Sequence, residues 1–290
     1  MAGDSTAAAD GADSQPSREY EFSDADFQRI RRMVQQHTGI ALSDSKRQLV
    51  YGRLSRRLRA LRLGAFDTYL ARVEGGDADE LQHFRNAITT NLTSFFRESH
   101  HFDFLANQVL PHLESQNRAS RRIRIWSAGC SSGEEPYSIA MVLLESAQHL
   151  LGNWDVRILA TDIDTNVLEH ARRGIYGSDR LERMEPARRL RWFERMPDAE
   201  HFKISDAVKA PITFNELNLI SDWPMKGPFD VIFCRNVVIY FDRNTQRNIV
   251  SRMEGLQRPG DHLILGHSES LLDISTRYRL VGNTIHRRTG

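Results

Sequence analysis

The chain has 290 residues, 40% hydrophobic and 27% charged, with 39 basic against 38 acidic side chains and a net charge of +1. That length allows one large domain or two, and the balanced charge excludes a surface given over as a whole to nucleic acid or anionic lipid. Two cysteines outside any CxxC pair exclude a disulfide scaffold or zinc ribbon, and a mean hydropathy of −0.49 without a long apolar run excludes a membrane-spanning helix.

Residues 1–20 are small and polar, with no large apolar side chain before Tyr20 beyond the initial methionine. They cannot bury enough surface to offset their ordering entropy and read as a disordered leader. No charged start followed by an apolar stretch is present, so no secretory signal is read and a cytoplasmic location is expected. Ser23 and Asp24 open a helix with Phe27, Ile30 and Val34 on one face, and Gly39 stops it. A second helix begins near Ser43 or Asp44 with Leu49, Leu54, Leu58 and Leu61 on its apolar side. The loop Glu74-Gly75-Gly76-Asp77 separates it from a third around residues 80–90. Residues 21–90 therefore predict a small all-helical domain, followed by an interdomain linker or helix over 91–120.

The pattern changes after Arg121, and residues 121–290 form the second predicted domain. Short apolar strands are expected at 123–126, 156–160, 229–234, 262–266 and 278–287, with helices over 136–150 and 164–173. Strands alternating with helices predict a parallel sheet covered on both faces. An insert over about 176–214 interrupts it, and its segments 201–205 and 208–214 are expected to pair as an antiparallel hairpin.

The stretch from Gly129 to Gly133 lies between a predicted strand and helix, where backbone N–H groups are free to meet a ligand. Neither the dinucleotide GxGxxG nor the Walker motif is present: Gly133 is followed by Glu134 and Glu135. Those carboxylates repel phosphate and favour a ligand bringing positive charge. Asp162 closes the second strand and faces the same crevice, where a carboxylate accepts from both hydroxyls of a ribose. Helix capping there falls to Asp164 and Thr165. A ribose clamp beside a phosphate-repelling loop points to S-adenosylmethionine rather than NAD or ATP. Cys234 follows Phe233 rather than proline, lacks the context of a cytosine-methylating nucleophile, and reads as a small buried residue.

The ordered segments Asn91–Glu98, Trp126–Ser138, Thr161–Asp164, Asn218-Leu219 and Phe233–Asp242 resemble the CheR family of chemotaxis receptor methyltransferases. The resemblance spans about residues 25–288. It implies an α/β fold: a class I S-adenosylmethionine-dependent (Rossmann-like) domain with an inserted antiparallel β-subdomain, preceded by a small all-helical domain. It implies that Asn91, Thr93 and Arg97 reach over the cofactor, that Glu134 contacts the methionine part, and that Asp162 takes the ribose. Glu135 is the alternative to Glu134. Asn218 and Leu219 are expected on the adenine side, Arg235 and Asn236 completing the pocket, and Arg97 and Tyr240 nearest the transferable methyl. Gly129 permits close backbone approach. No metal is expected.

The implied reaction esterifies a glutamate side chain of a chemoreceptor. A glutamate with an ordinary pKa near 4.3 is already ionised at neutral pH, so no general base is needed. The remaining work is alignment of the reacting groups and desolvation. The helix carrying Arg47, Arg53, Arg56, Arg57, Arg59 and Arg62 is expected to dock the acidic methylation helices of the receptor, with Arg53, Arg56 and Arg57 clustered on one face. RNA is the rival for such a patch. The Asn/Asp-Pro-Pro-aromatic element of a nucleic-acid amino-methyltransferase is absent, however, and nucleic acid is not expected as a partner. The β-subdomain is a further place for a receptor's C-terminal tail peptide. The adjacent His100 and His101 diverge on a helix and read as structural rather than metal-binding.

Overall fold

A computed structural model of the protein describes residues 19–290. The leader expected over 1–20 lies outside the described residues except for its last two positions. Those two belong to the folded unit: Glu19 pairs with Arg59, and the Tyr20 N–H donates to the Tyr51 hydroxyl.

The N-terminal unit is helical, with α1 (Asp24–Thr38), α2 (Arg47–Leu61), α3 (Phe66–Glu74) and α4 (Ala78–Ile88). Helix α1 starts at a capping box, in which the Ser23 hydroxyl accepts from the Asp26 N–H while the Asp26 carboxylate accepts from the Ser23 N–H. It ends at Gly39, whose φ of 75° is left-handed and whose Cα faces Ile220 and Phe241 too closely for a side chain. Helix α3 was not expected. Its periodic Phe66, Tyr69, Leu70 and Val73 are buried against Phe27, Leu54 and Leu58 in one core. Leu49, expected on the buried face of α2, is exposed, and Val50 takes its place.

Helices α5 (His100–Phe104) and α6 (Leu110–Gln116), joined by a π-helical turn, lead into the sheet domain. Their Phe102, Leu105, Val109 and Leu113 belong to that domain's core. There follow β1 (Arg122–Ala128), α7 (Glu134–Ser146), α8 (Gln148–Asn153), β2 (Asp155–Asp162) and α9 (Thr165–Arg173). The insert contributes β3 (Ile175–Gly177), α10 (Ser178–Leu181), α11 (Pro186–Trp192), β4 (Phe193–Arg195), β5 (His201–Ile204) and α12 (Asp206–Lys209). The chain then rejoins the main sheet through β6 (Ile212–Glu216), β7 (Val231–Cys234), α13 (Arg243–Gly255), β8 (His262–Leu265), β9 (Tyr278–Gly282) and β10 (Ile285–Arg288).

The main sheet has the order β6-β2-β1-β7-β8-β10-β9, parallel from β6 to β8 and antiparallel at β10 and β9. Two expectations fail. The expected hairpin does not form: β5 pairs antiparallel with β3 and β4 in a separate three-stranded sheet, whereas β6 pairs parallel with β2. Helix α12 (Asp206–Lys209) follows β5 and breaks any tight turn, so the segment 212–216 is free to join the main sheet. The single strand expected over 278–287 is a hairpin turning at Asn283-Thr284, where Thr284 takes a φ of 54°.

Candidate active site

The carboxyl ends of β1, β2 and β7 open into a cavity of about 550 Å³ roofed by the helical unit. Side chains from both parts hold the roof down. Asn218 donates to the His37 carbonyl, Gln35 to Asp242, Gln82 to the Ile163 carbonyl, and the Ala41 N–H to the Tyr240 carbonyl. The cavity therefore lies between the two units, at the strand-end crevice expected of an open α/β sheet.

After β1 the chain turns at Gly129 (φ 84°), where an added Cβ would lie 2.4 Å from Val237 Cγ2. Asp162 ends β2 on the cavity wall, and its carboxylate accepts from the Ser131 and Asp164 N–H groups at 2.8 and 3.0 Å. Burial pushes its pKa up to about 6 against those two donors. Asp164 caps α9, accepting from the Asn166 and Val167 N–H groups, and its other oxygen takes Thr89 and Asn91.

Of the two adjacent glutamates the second, Glu135, lines the cavity, whereas Glu134, the one preferred from the sequence, faces the insert. Glu134 is fully buried, accepts from Ser132 and Arg180, and ties α10 of the insert to the glycine loop. It does not line the cavity; Glu135 does. The hundred-degree step between successive helical residues sends one inward and the other toward the insert. Glu135 accepts from the Ser127 hydroxyl at 2.7 Å and pairs with Arg235 at 3.0 Å. Burial pushes its carboxyl up, with Arg235 and Ser127 opposing.

Arg235 follows β7 and spans two carboxylates, Glu135 and Glu98 at 3.4 Å, while also donating to the Arg97 carbonyl. Burial raises the Glu98 carboxyl, but the His267 hydrogen bond and the Arg235 charge overcome it and hold it at about 2. Arg97 lines the cavity, its guanidinium donating to the Leu92 carbonyl at 2.9 Å and lying only loosely beside Glu98 at 4.0 Å. Thr93, Asn236, Leu219 and Tyr240 line it as well. The Tyr240 hydroxyl has no hydrogen-bond partner among the described residues. Asn91 and Asn218 also reach the wall, but their amides already hold Asp164 and His37.

The arginine cluster on α2 divides. Arg53 turns inward, lines the cavity and donates to the last carbonyls of α4, including Thr89 at 2.6 Å. Arg57 forms a two-pronged pair with the buried Glu80 at 2.6 and 2.7 Å. Both already have partners within the helical unit, unlike the free docking surface expected from the sequence. Arg56 is exposed, with no ion pair among the described residues. Residues that the sequence did not single out but that line the cavity include Ser131, Leu217 and Val237, and Thr38, Leu42 and Leu49 of the roof. The sequence marked Leu49 only as a core position and gave no sign of the other roof residues, because they meet the pocket only through the docking of the two units. His101 is buried, with Nε2 beside the Asn283 carbonyl and Thr284 hydroxyl at 3.1 and 3.0 Å. Among the described residues no cluster of three or more His, Cys, Asp or Glu is placed to hold a metal ion. Cys130 and Cys234 are buried thiols, both pushed up by burial.

The donor set fits an adenosyl sulfonium compound. Asp162 keeps lone pairs beyond its two backbone donors, apolar Leu217 and Leu219 flank one side, and the group by the glycine loop is a carboxylate. Comparison with known proteins gives the same reading. The "CheR methyltransferase, SAM binding domain" matches residues 91–286 and the "CheR methyltransferase, all-alpha domain" residues 25–89. "Chemotaxis protein methyltransferase 2" of Pseudomonas aeruginosa is 45% identical over 275 residues, covering 93% of this chain and 95% of that one. The chemotaxis protein methyltransferase of Escherichia coli is 43% identical over 269 residues, covering 91% of each. A probable chemotaxis protein methyltransferase of Rhizobium etli is 47% identical over 240 residues, 82% of this chain and 89% of its own. With a strand-end crevice lined by carboxylates rather than phosphate-binding groups and both domain types matched in order over residues 25–286, the chain belongs to the CheR family of S-adenosylmethionine-dependent chemotaxis methyltransferases.

Proposed function

We propose that the chain transfers the methyl group of S-adenosylmethionine to glutamate side chains in the cytoplasmic part of chemoreceptors, with Arg97 and Tyr240 as the groups beside the reacting atoms. The observation that carries this assignment is the convergence of Asp162, Glu135, Arg97 and Tyr240, from four separate elements, on one cavity. Asp162 would take the ribose hydroxyls, Leu217, Asn218 and Leu219 the adenine side, and Glu135 the cationic methionine end. Asn91, Thr93, Arg235 and Asn236 would close the walls around them, and Gly129 would leave room for the nucleoside.

The bound cofactor supplies a methyl group on a sulfonium. The acceptor carboxylate oxygen would form the new bond to that methyl carbon as the carbon–sulfur bond breaks, the electron pair staying on sulfur, with Asp162 and Glu135 holding the donor. No proton moves. The Arg97 guanidinium and the Tyr240 hydroxyl would orient the carboxylate. Labelled methyl is expected to enter a receptor cytoplasmic fragment and to leave as methanol in mild base; label stable to base would exclude an ester. R97A and Y240F are each expected to slow transfer about tenfold while leaving S-adenosylhomocysteine affinity within a factor of about three.

Arg56 is the arginine of the original trio left to meet an acidic receptor helix. R56E is expected to raise KM for the receptor fragment several-fold, more so at low salt, without changing cofactor affinity. R57A should instead lower the melting temperature, because it strands Glu80, whose side chain is 1% exposed. Equal KM values for R56E and wild type at low salt would remove Arg56 from the docking surface. A tail peptide held by the β3-β5-β4 sheet is a further partner to be sought by titration.

A further inference from the structure

Glu269 is buried beside the cavity and takes no part in the chemistry above. Its carboxylate accepts from four backbone N–H groups. One oxygen takes Val237 at 2.8 Å and Ile239 at 3.3 Å; the other takes Asn236 at 2.8 Å and Gly266 at 2.6 Å. Three of these donors belong to the segment that leaves β7 and carries Asn236 and Tyr240; the fourth ends β8. That segment needs an external hold. Asn236 has a φ of 58°, a left-handed conformation uncommon for a residue with a side chain, and Val237 at φ −121°, ψ −49° lies outside the regular helical and extended wells. Its N–H groups converge as in an anion-binding nest, and a side chain occupies the anion position. Gly266 lets the two strand ends approach: a Cβ there would lie 2.4 Å from Asn236 Nδ2.

We propose that Glu269 is a positioning residue for methyl transfer, a carboxylate latch that fixes the loop after β7 so that Asn236 and Tyr240 face the cavity. It acts through the backbone and touches neither substrate nor cofactor. A neutral amide of the same shape cannot replace it, because glutamine would turn an N–H toward two of the four donors. The inference rests on the assignment of Tyr240 to the reaction.

The test is a cycle of E269Q, Y240F and the double variant in the methyl-transfer assay, with S-adenosylhomocysteine affinity measured alongside. E269Q is expected to lose about tenfold or more in kcat, with the KM for receptor nearly unchanged. The double variant should lose clearly less than the product of the two single effects, because part of the latch's effect runs through Tyr240. E269D should recover part of the rate. Losses that multiply in the double variant, or an E269Q as active as wild type, would overturn the proposal. An inactive wild type would instead overturn the assigned reaction. Should E269Q fail to fold, hydrogen exchange on the wild-type chain decides: the amides of 236, 237 and 239 are expected to be strongly protected, and rates typical of an open loop would remove the latch.

Discussion

Replacing Arg235 by methionine is expected to lower the stability of the protein by about 3–5 kcal/mol, because it strands two carboxylates that share one buried cation. The Arg235 side chain is 3% exposed, and Glu135 and Glu98 on either side are 11% exposed. With the guanidinium gone, Glu135 keeps only the Ser127 hydroxyl and Glu98 keeps His267. For a chain of this size such a loss lowers the melting temperature by very roughly 6–20 °C. The sign of the pH effect follows. In the wild type the Glu98 carboxyl is lowered from its ordinary 4.5 to about 2, so its stabilising contribution is fully present at neutral pH and is lost progressively as pH falls from that ordinary value through the lowered one. In R235M the Arg235 share of that depression is lost while His267 still holds Glu98 down, and Glu135, already raised by burial, loses its opposing cation and takes up a proton at higher pH. The gap between variant and wild type should therefore shrink as pH falls toward about 5. The double variant E135Q/R235M should recover part of the loss. Thermal melts at several pH values check both points, and an R235M curve superimposing on wild type would mean that the triad carries no net stability.

The location of this triad shows what could and could not be read from the residues. Helix α1 was legible to the residue because its cap, apolar period and stop are local: Ser23, Phe27–Ile30–Val34 and Gly39 need no partner to be recognised. The strands β1, β2, β7 and β8 were legible because buried parallel strands are short apolar runs. Local patterning failed where pairing decided the outcome. The segment 212–216 looks the same whether it turns back on β5 or joins β2, and the hairpin β9–β10 reads as one strand because its turn at Asn283-Thr284 is only two residues long. At the site, Asp162 could be picked out by its place at a strand end, and all the residues matched by motif except Glu134 line the cavity. The choice between Glu134 and Glu135 could not be made, since it depends on Arg180 reaching across from the insert to claim the first of them. The partners of Arg53 and Arg57 were hidden for the same reason: a charge run on a helix gives no sign that Thr89 and Glu80, at the end and start of α4, hold two of its members.

Asp162 is the position where site chemistry and pH meet most directly. D162A is expected to weaken S-adenosylhomocysteine binding by about 1.5–3 kcal/mol, roughly 10- to 150-fold, as for hydrogen bonds to a charged group. Burial raises this carboxyl from its ordinary 3.8 to about 6 in the free chain. A raised carboxyl pKa means that the folded chain binds the extra proton between about pH 4 and 6, so this group's contribution to stability is greatest below that window and falls as pH rises through it. Ribose hydroxyls donating to the charged form reverse the preference and draw the pKa down. Binding below about pH 6 must then expel a proton, and affinity should rise with pH before levelling off near neutrality. Calorimetry in two buffers of different ionisation enthalpy measures that proton directly. Glu135 is raised as well, so D162N is the control that separates the two: it should remove most of the pH dependence between 5 and 7, leaving what Glu135 contributes. Unchanged affinity in D162A, or the same proton release in D162N as in wild type, would place the ribose elsewhere in the crevice and return Asp162 to the part its backbone partners already give it, a tie between the glycine loop and the start of α9.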